Sequence, residues 1–447
     1  MAFTSIGPAC GRMAVRRALA VIACAVLAGC GSGASDQPHL EGIVVTVAPA
    51  TFSMGIGSNY QFAATVTGAS STAVNWQVNG VAGGNSTVGT IDSAGLYIAP
   101  VTMPAQAITI AAVSQADGVS TGTAAVTLTL LDAIGTASGQ TITCPTGSGI
   151  TIAGSTCYSV ALSCAGIGDL NAYLWVNVPT VPTVGTVMLT SGGVSDGLYA
   201  DPSVYVYGID VVSGLLAQGY ITVQTSFGGL FTTTQPNGWQ TGPGGIRRVA
   251  CRYATLAQWV HDNVSLTPAG APLCATGNSA GSILISYALA HYGETSIFTM
   301  VEPTSGSPIS RLDYSCECNK GEVQDPCDPS MNLTQCAGLM NAQKYIDPAY
   351  SAPICSEAVQ TQSTANGPQF FSDSILSPEG TMAYPKTSVH FAWGGQDLSS
   401  APIMGREWQQ KITTTNGYTC VADAPHNLAD VQDGAQQIVN DVKQYCH

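Results

Sequence analysis

The chain has 447 residues, a formal net charge of −14, 45% hydrophobic residues and only 9% charged ones, which suits two or three domains with a sizeable core under a Ser-, Thr-, Asn-, Gln- and Gly-rich surface. Fifty Gly and 24 Pro favour many turns over long helices. The acidic balance excludes a nucleic-acid partner, and the lack of a Gly-X-Y period, a heptad or a second long apolar run excludes collagen, a coiled coil and a multi-span membrane protein.

The first residues read as an address. Arg12, Arg16 and Arg17 form a basic region, and Ala18 to Gly29 is an apolar stretch too short to span a bilayer comfortably. It ends in Leu27-Ala28-Gly29-Cys30. This order resembles a bacterial lipobox. The resemblance implies a lipoprotein signal peptide over 1–29, lipidation of Cys30, and anchoring at an outer membrane or cell surface without a spanning helix. Residues 30–40 are small and polar, as a tether would be. Cysteine usage agrees with export: after Cys10, Cys24 and Cys30, the other 12 of 15 lie between Cys144 and Cys446. An even number in an exported chain points to disulfides rather than to a metal site.

From 41 to 131 the texture is β. Val44 to Val47, Tyr60 to Val66, Val74 to Val78, Ile108 to Val113 and Ala125 to Leu130 are short runs separated by Gly, Asn, Ser and Asp. Together with Trp76 and Gly95-Leu96-Tyr97-Ile98-Ala99-Pro100, they resemble a bacterial immunoglobulin-like module, a β-sandwich. Trp76 is expected in its core. Two roles stay open for this module: a spacer, or a binder of polymer or cell wall.

From 132 to 447 strands alternate with helices, which predicts an α/β sheet covered on both faces. Thr186 to Thr190, Tyr220 to Thr225, Pro272 to Thr276, Ile297 to Val301 and Val389 to Trp393 read as strands. Arg247 to Asn263, Ser282 to His291 and Ala435 to Tyr445 read as helices. About 303–386 breaks the rhythm, holds five Cys and is too long for a plain connection. It is expected to be an inserted cap pinned by disulfides. Ile354, Phe370, Phe371, Ile375, Leu376 and Met382 either line a substrate pocket or form the cap's own core.

Hydrolytic serine chemistry needs a hydroxyl on a sharp strand-to-helix turn, with small residues at −2 and +2. Three Gly-x-Ser-x-Gly segments occur. Gly118 to Gly122 falls between two strands, as a hairpin turn. Gly193 to Gly197 follows a strand, but Pro202 prevents an immediate helix. Only Ser279 has an apolar strand before it and a helix directly after it. The oxyanion of an acyl-transfer intermediate needs two backbone N–H donors. Ala280, at the helix N-terminus, is expected as one. The other is expected after an earlier strand, where Ser191-Gly192-Gly193 resembles the His-Gly-Gly loop of lipases and esterases with Ser191 in place of His. The resemblance implies Gly193, with Val194 as runner-up and a plain tight turn as the alternative.

Six His residues are available as general base. His39 is in the tether, His261 and His291 lie on helices, His390 is inside an apolar strand, and His447 ends the chain. His426 follows a strand and precedes the last helix. Asp397, after Val389 to Trp393, is the expected orienting acid; Glu302 is its rival, and Asp423 reads as a turn residue.

The order Ser279, Asp397, His426, over residues from about 165 onward, resembles the α/β-hydrolase serine esterases and lipases. The resemblance implies an acyl-enzyme mechanism with no metal or cofactor, acting on an ester substrate. Large or insoluble extracellular esters fit the architecture. A serine peptidase of the same fold and a non-catalytic surface binding protein are the alternatives.

Overall fold

The computed structural model describes residues 42–56, 59–100, 103–129, 132–145, 152, 154–228, 238–264, 270–336, 341–377 and 379–447. The expected signal peptide, Cys30 and the tether lie outside these residues.

The described residues up to 129 form short strands. Val44–Ala48 pairs antiparallel with Ala63–Thr67. Ile108–Ser114 pairs antiparallel with Val74–Val78 and with Thr121–Thr129, which also takes Thr51–Gly55 in parallel. Val44–Ala48 alternates exposed and buried residues, the period of a half-buried strand. The buried set includes Val45, Phe62, Trp76, Tyr97 and Ile110, so Trp76 is a core residue. One expectation fails locally. Tyr60 to Val66 is two strands, Asn59–Gln61 and Ala63–Thr67, in different sheets. Between them Phe62 is buried, and its N–H donates to Gly95 O at 2.9 Å, so the chain changes sheets there.

The rest is built on one nine-stranded sheet. Its strands are β1 Thr136–Ile142, β2 Thr156–Ser163, β3 Leu170–Asn177, β4 Gly185–Thr190, β5 Tyr220–Phe227, β6 Leu273–Asn278, β7 Phe298–Thr304, β8 Ser388–Gly394 and β9 Asn416–Val421. The spatial order is β1-β2-β3-β5-β4-β6-β7-β8-β9. The first three are antiparallel, and the six from β5 to β9 are mutually parallel. This is an α/β-hydrolase-like sheet, with the β4/β5 exchange that puts ligands at the carboxyl ends of the strands. The edge strand β1 carries polar, exposed residues along most of its length, unlike the fully buried β4 and β6.

Helices cover both faces. On one face α1 (Gly208–Ala217) and the last helix (Gln432–Tyr445) bury Val211, Leu215, Ile438 and Val442. On the other, α2 (Gly245–Val249), α3 (Cys251–Asn263) and α4 (Ala280–Tyr292) bury Ile246, Tyr253, Leu256, Leu284 and Tyr287. The helix expected over Arg247 to Asn263 is thus two segments meeting at Ala250.

Between β7 and β8 lies the insertion, with α5 (Leu312–Glu317), α6 (Gln343–Ile346), α7 (Ile354–Thr361) and α8 (Gly367–Ser372). Phe370 and Ile375 are fully buried in the main core. All 12 cysteines from Cys144 onward pair. Cys316–Cys355 and Cys318–Cys336 close the insertion on itself, and Cys327–Cys420 ties it to β9. Cys144–Cys157, Cys164–Cys251 and Cys274–Cys446 brace the sheet. Six disulfides fit an oxidising, exported setting. Among the described residues no helix is long and apolar enough to cross a membrane.

Candidate active site

The turn from β6 into α4 is tightly constrained. Ser279 sits there at φ 54° and ψ −110°, a left-handed conformation that costs a non-glycine residue energy. The flanking glycines are dictated by space. A Cβ on Gly277 would come within 2.6 Å of the Gly281 backbone, and one on Gly281 within 2.4 Å of Thr190 O. Ser279 N–H donates to Thr304 O at 3.0 Å. The hydroxyl therefore stands at the N-terminus of a helix of 13 residues, where the helix dipole favours negative charge.

Ser195 has another fate. It is fully buried, and its Oγ donates to Ser191 O at 2.7 Å, while its N–H donates to Gly192 O at 3.0 Å. Its hydroxyl braces the loop after β4. In the same loop Gly192 N–H donates to the Tyr205 hydroxyl at 2.8 Å. The amides of Gly193 and Ala280 donate to no group among the described residues. Gly193 and Ala280 line one cavity with Ser279.

Asp397 follows β8 and His426 follows β9. His426 Nδ1 lies 2.8 Å from Asp397 Oδ2, and the acid side chain is fully buried. Ser399 completes the arrangement: its Oγ is 3.1 Å from His426 Nδ1, and its N–H donates to Asp397 Oδ1 at 2.9 Å. Burial works to raise the Asp397 carboxyl. It is outweighed by the His426 hydrogen bond and charge and by Ser399, so the group stays below the usual carboxylate range. Both loops approach closely because a Cβ on Gly395 would meet Ala422 O at 2.6 Å.

The rivals are elsewhere. Glu302 is buried on β7, where desolvation and the neighbouring Asp441 push its carboxyl well up; it does not line the cavity. His390 contacts Thr419 Oγ1 at 2.9 Å and His291 contacts Ser374 O at 3.1 Å. His261 is exposed beside Asp262, Asp423 and His447 are exposed, and His39 is outside the described residues.

The cavity holds about 550 Å³ and gathers Gly193, Ser279, Ala280, Asp397 and His426. It also brings in residues that sequence patterns did not single out: Tyr205, Trp239, Ser399, and Ala342, Tyr345 and Ile346 of the insertion. None of the six apolar residues expected as pocket or cap core lines it. Phe371, Leu376 and Met382 instead face a separate cleft beside Phe52. Asn278 links the loops below. Its Nδ2 donates to Asn427 Oδ1 at 3.2 Å, and its Oδ1 accepts from Thr304 Oγ1 at 3.2 Å.

No protein-family model matches the chain, and no curated protein matches it. Solved structures similar to it include Est1E from Butyrivibrio proteoclasticus (13% identity, 64% of this chain and 96% of that one, TM-score 0.37). A highly thermostable carboxyl esterase from Bacillus coagulans is another (13%, 65% and 99%, 0.40). Acetyl xylan esterase 1 from Thermoanaerobacterium sp. JW/SL YS485 is a third (12%, 68% and 87%, 0.39). These likenesses are distant, and the fold rests on the strand order.

Proposed function

We propose that this chain is an exported serine hydrolase that cleaves carboxylic esters through an acyl-enzyme. The observation that carries the reading is a hydrogen-bonded Asp397–His426 pair in the same cavity as Ser279, which sits on a strained turn at a helix N-terminus. In this reading the Ser279 hydroxyl gives its proton to His426 Nε2 as Oγ bonds to the ester carbonyl carbon. The carbonyl electron pair moves onto oxygen, and the amides of Ala280 and Gly193 hold that charge. The pair returns, the C–O bond to the alcohol breaks, and His426 delivers its proton to the leaving oxygen. Water then repeats the sequence on the acyl-enzyme. Asp397 keeps Nδ1 protonated and stabilises the imidazolium.

The finer parts belong to the same proposal. Cys30 carries the lipid that holds the chain at an outer membrane or cell surface. The strands up to 131 form an immunoglobulin-like module, and 132–447 is the catalytic domain with its cap at about 303–386. The test is steady-state hydrolysis of a p-nitrophenyl ester by the purified chain and by Ser279→Ala. A loss of kcat of at least about 10⁴-fold is expected; full activity in the variant removes the assignment.

A further inference from the structure

The site cavity is selective in a way the catalytic groups do not require. Its wall includes Trp239, Ile246, Ile283, Ile309, Ala342 and Ile346. Trp239 is fully buried, and Ile246 and Ile346 are 1% and 2% exposed. Among its described lining residues the only ionisable acid or base side chains, tyrosines aside, are Asp397 and His426, which are bound to each other. Among the described residues no Lys or Arg lines it. Another cavity gathers the charged side chains of Asp132, Arg247, Arg248, Asp373 and Glu379 among uncharged residues. The apolar wall of the site cavity contrasts with that charged cleft.

Two lining residues are also solvent-exposed, Leu398 at 61% and Tyr345 at 38%, which puts them at the mouth. Tyr345 and Ile346 are neighbours on α6, so one short helix of the insertion contributes to both the mouth and the buried wall. An unpaired charge placed against such a wall loses its water and gains no partner. An apolar chain gains from each methylene removed from water.

We propose that this cavity binds the acid part of the ester, that it takes uncharged, apolar acids of medium length, and that Tyr345 and Ile346 of the insertion set that length. This rests on the ester-hydrolase reading of the same site. A carboxylate on the substrate would meet the Asp397 charge and, among the described lining residues, no Lys or Arg. The expected substrates are esters of unbranched or aromatic monocarboxylic acids, and the expected non-substrates are half-esters of dicarboxylic acids.

The experiment measures kcat/KM for p-nitrophenyl acetate, butyrate, valerate and octanoate and for mono-p-nitrophenyl glutarate. The proteins are the full chain, Ile346→Trp and Tyr345→Ala. Each methylene up to octanoate should raise kcat/KM by about two- to fourfold. The glutarate half-ester should fall at least about 100-fold below valerate, which it matches in length. Ile346→Trp fills the buried wall and should lower the octanoate-to-acetate ratio at least about tenfold. Tyr345 is exposed, so Tyr345→Ala keeps the test valid should the tryptophan disturb folding; it should lower the same ratio about threefold.

Equal rates for valerate and the glutarate half-ester overturn the proposal. So does a chain-length ratio unchanged within twofold in both variants. A fluorophosphonate adduct on Ser279 separates the two levels of failure. An adduct with a flat ester profile overturns the acid-binding site alone. No adduct and no ester turnover removes the hydrolase reading, and this proposal with it.

Discussion

Asn278 is the residue through which the three site loops meet. It precedes Ser279, donates to Asn427 next to His426, and faces the Tyr205 hydroxyl that holds the Gly192 amide. Removing it leaves Thr304 Oγ1 and Asn427 Oδ1 without that partner and loosens the relative placement of Ser279 and His426. A misplacement of about 1 Å at a reacting centre costs on the order of 100-fold in rate. Asn278→Ala is therefore expected to lower kcat about 10- to 100-fold with KM within threefold, and Asn278→Ser to recover part of it. A matched loss in KM alone, in steady-state kinetics, would mean that Asn278 acts on substrate binding instead. The placement of Ser279, Asp397 and His426 in one cavity was legible because each stands after a recognisable strand, in one chain order. Asn278, Tyr205 and Ser399 were not, because their value lies in contacts across up to 150 positions, and Asn, Tyr and Ser are ordinary residues in loops.

Among the elements, the insertion is fastened to the sheet covalently and by one buried acid. Cys327–Cys420 ties it to β9. Asp373, just after α8, accepts from the amides of Ile246 and Arg247 at 2.7 and 3.0 Å and from the Tyr350 hydroxyl at 2.6 Å. It thereby caps α2, whose Ile246 lines the site cavity. Burial pushes Asp373 up to about 7, against the pull of Tyr350, the two amides and the Arg247 charge. The unfolded carboxyl titrates near 3.8. Between those values the folded chain holds a proton that the unfolded chain releases, so this group's contribution to stability falls as pH rises through about 7. His291, pushed down to about 3 by burial and then by Arg247, acts oppositely: its neutral folded form loses stability as pH falls below about 6.5. Asp373→Asn removes only the first effect. Relative to the parent, its melting temperature should rise steadily from pH 4 to pH 8; a constant difference across that range contradicts the assignment. The sequence pattern marked the parallel strands by their apolar runs and the insertion by its length and cysteines. It missed the break at Ala250, which is a matter of how α2 docks on Asp373, about 125 positions later.

For the whole molecule, the strands up to 129 are not freely jointed to the large sheet. Their core cluster includes Ala383 of the insertion. Phe52 and Thr127 share a cleft with Phe371, Leu376 and Met382. At the junction Asp132 receives Arg247 Nε at 2.5 Å, Arg247 also reaches Glu379, and Asp132 N–H donates to His291 O at 2.7 Å. A side chain pair this enclosed is worth more than an exposed one. These contacts couple the unfolding of the two regions, so calorimetry of residues 42–447 should give one transition. Two resolved transitions, one lost on deleting 42–131, would show an independent module. Composition and β-rich runs made the change of texture near 131 visible in the sequence. The packing across it was not, because Ala383 and Phe52 carry no pattern that names each other.

The central claim is that Ser279 is an activated nucleophile, and its most direct test is mass spectrometry of the disulfide-bonded chain after a fluorophosphonate probe, with Ser279→Ala as control. A single adduct on the peptide containing Ser279, absent from the variant, is the predicted result. An adduct on Ser195, or none on correctly paired protein, would contradict it.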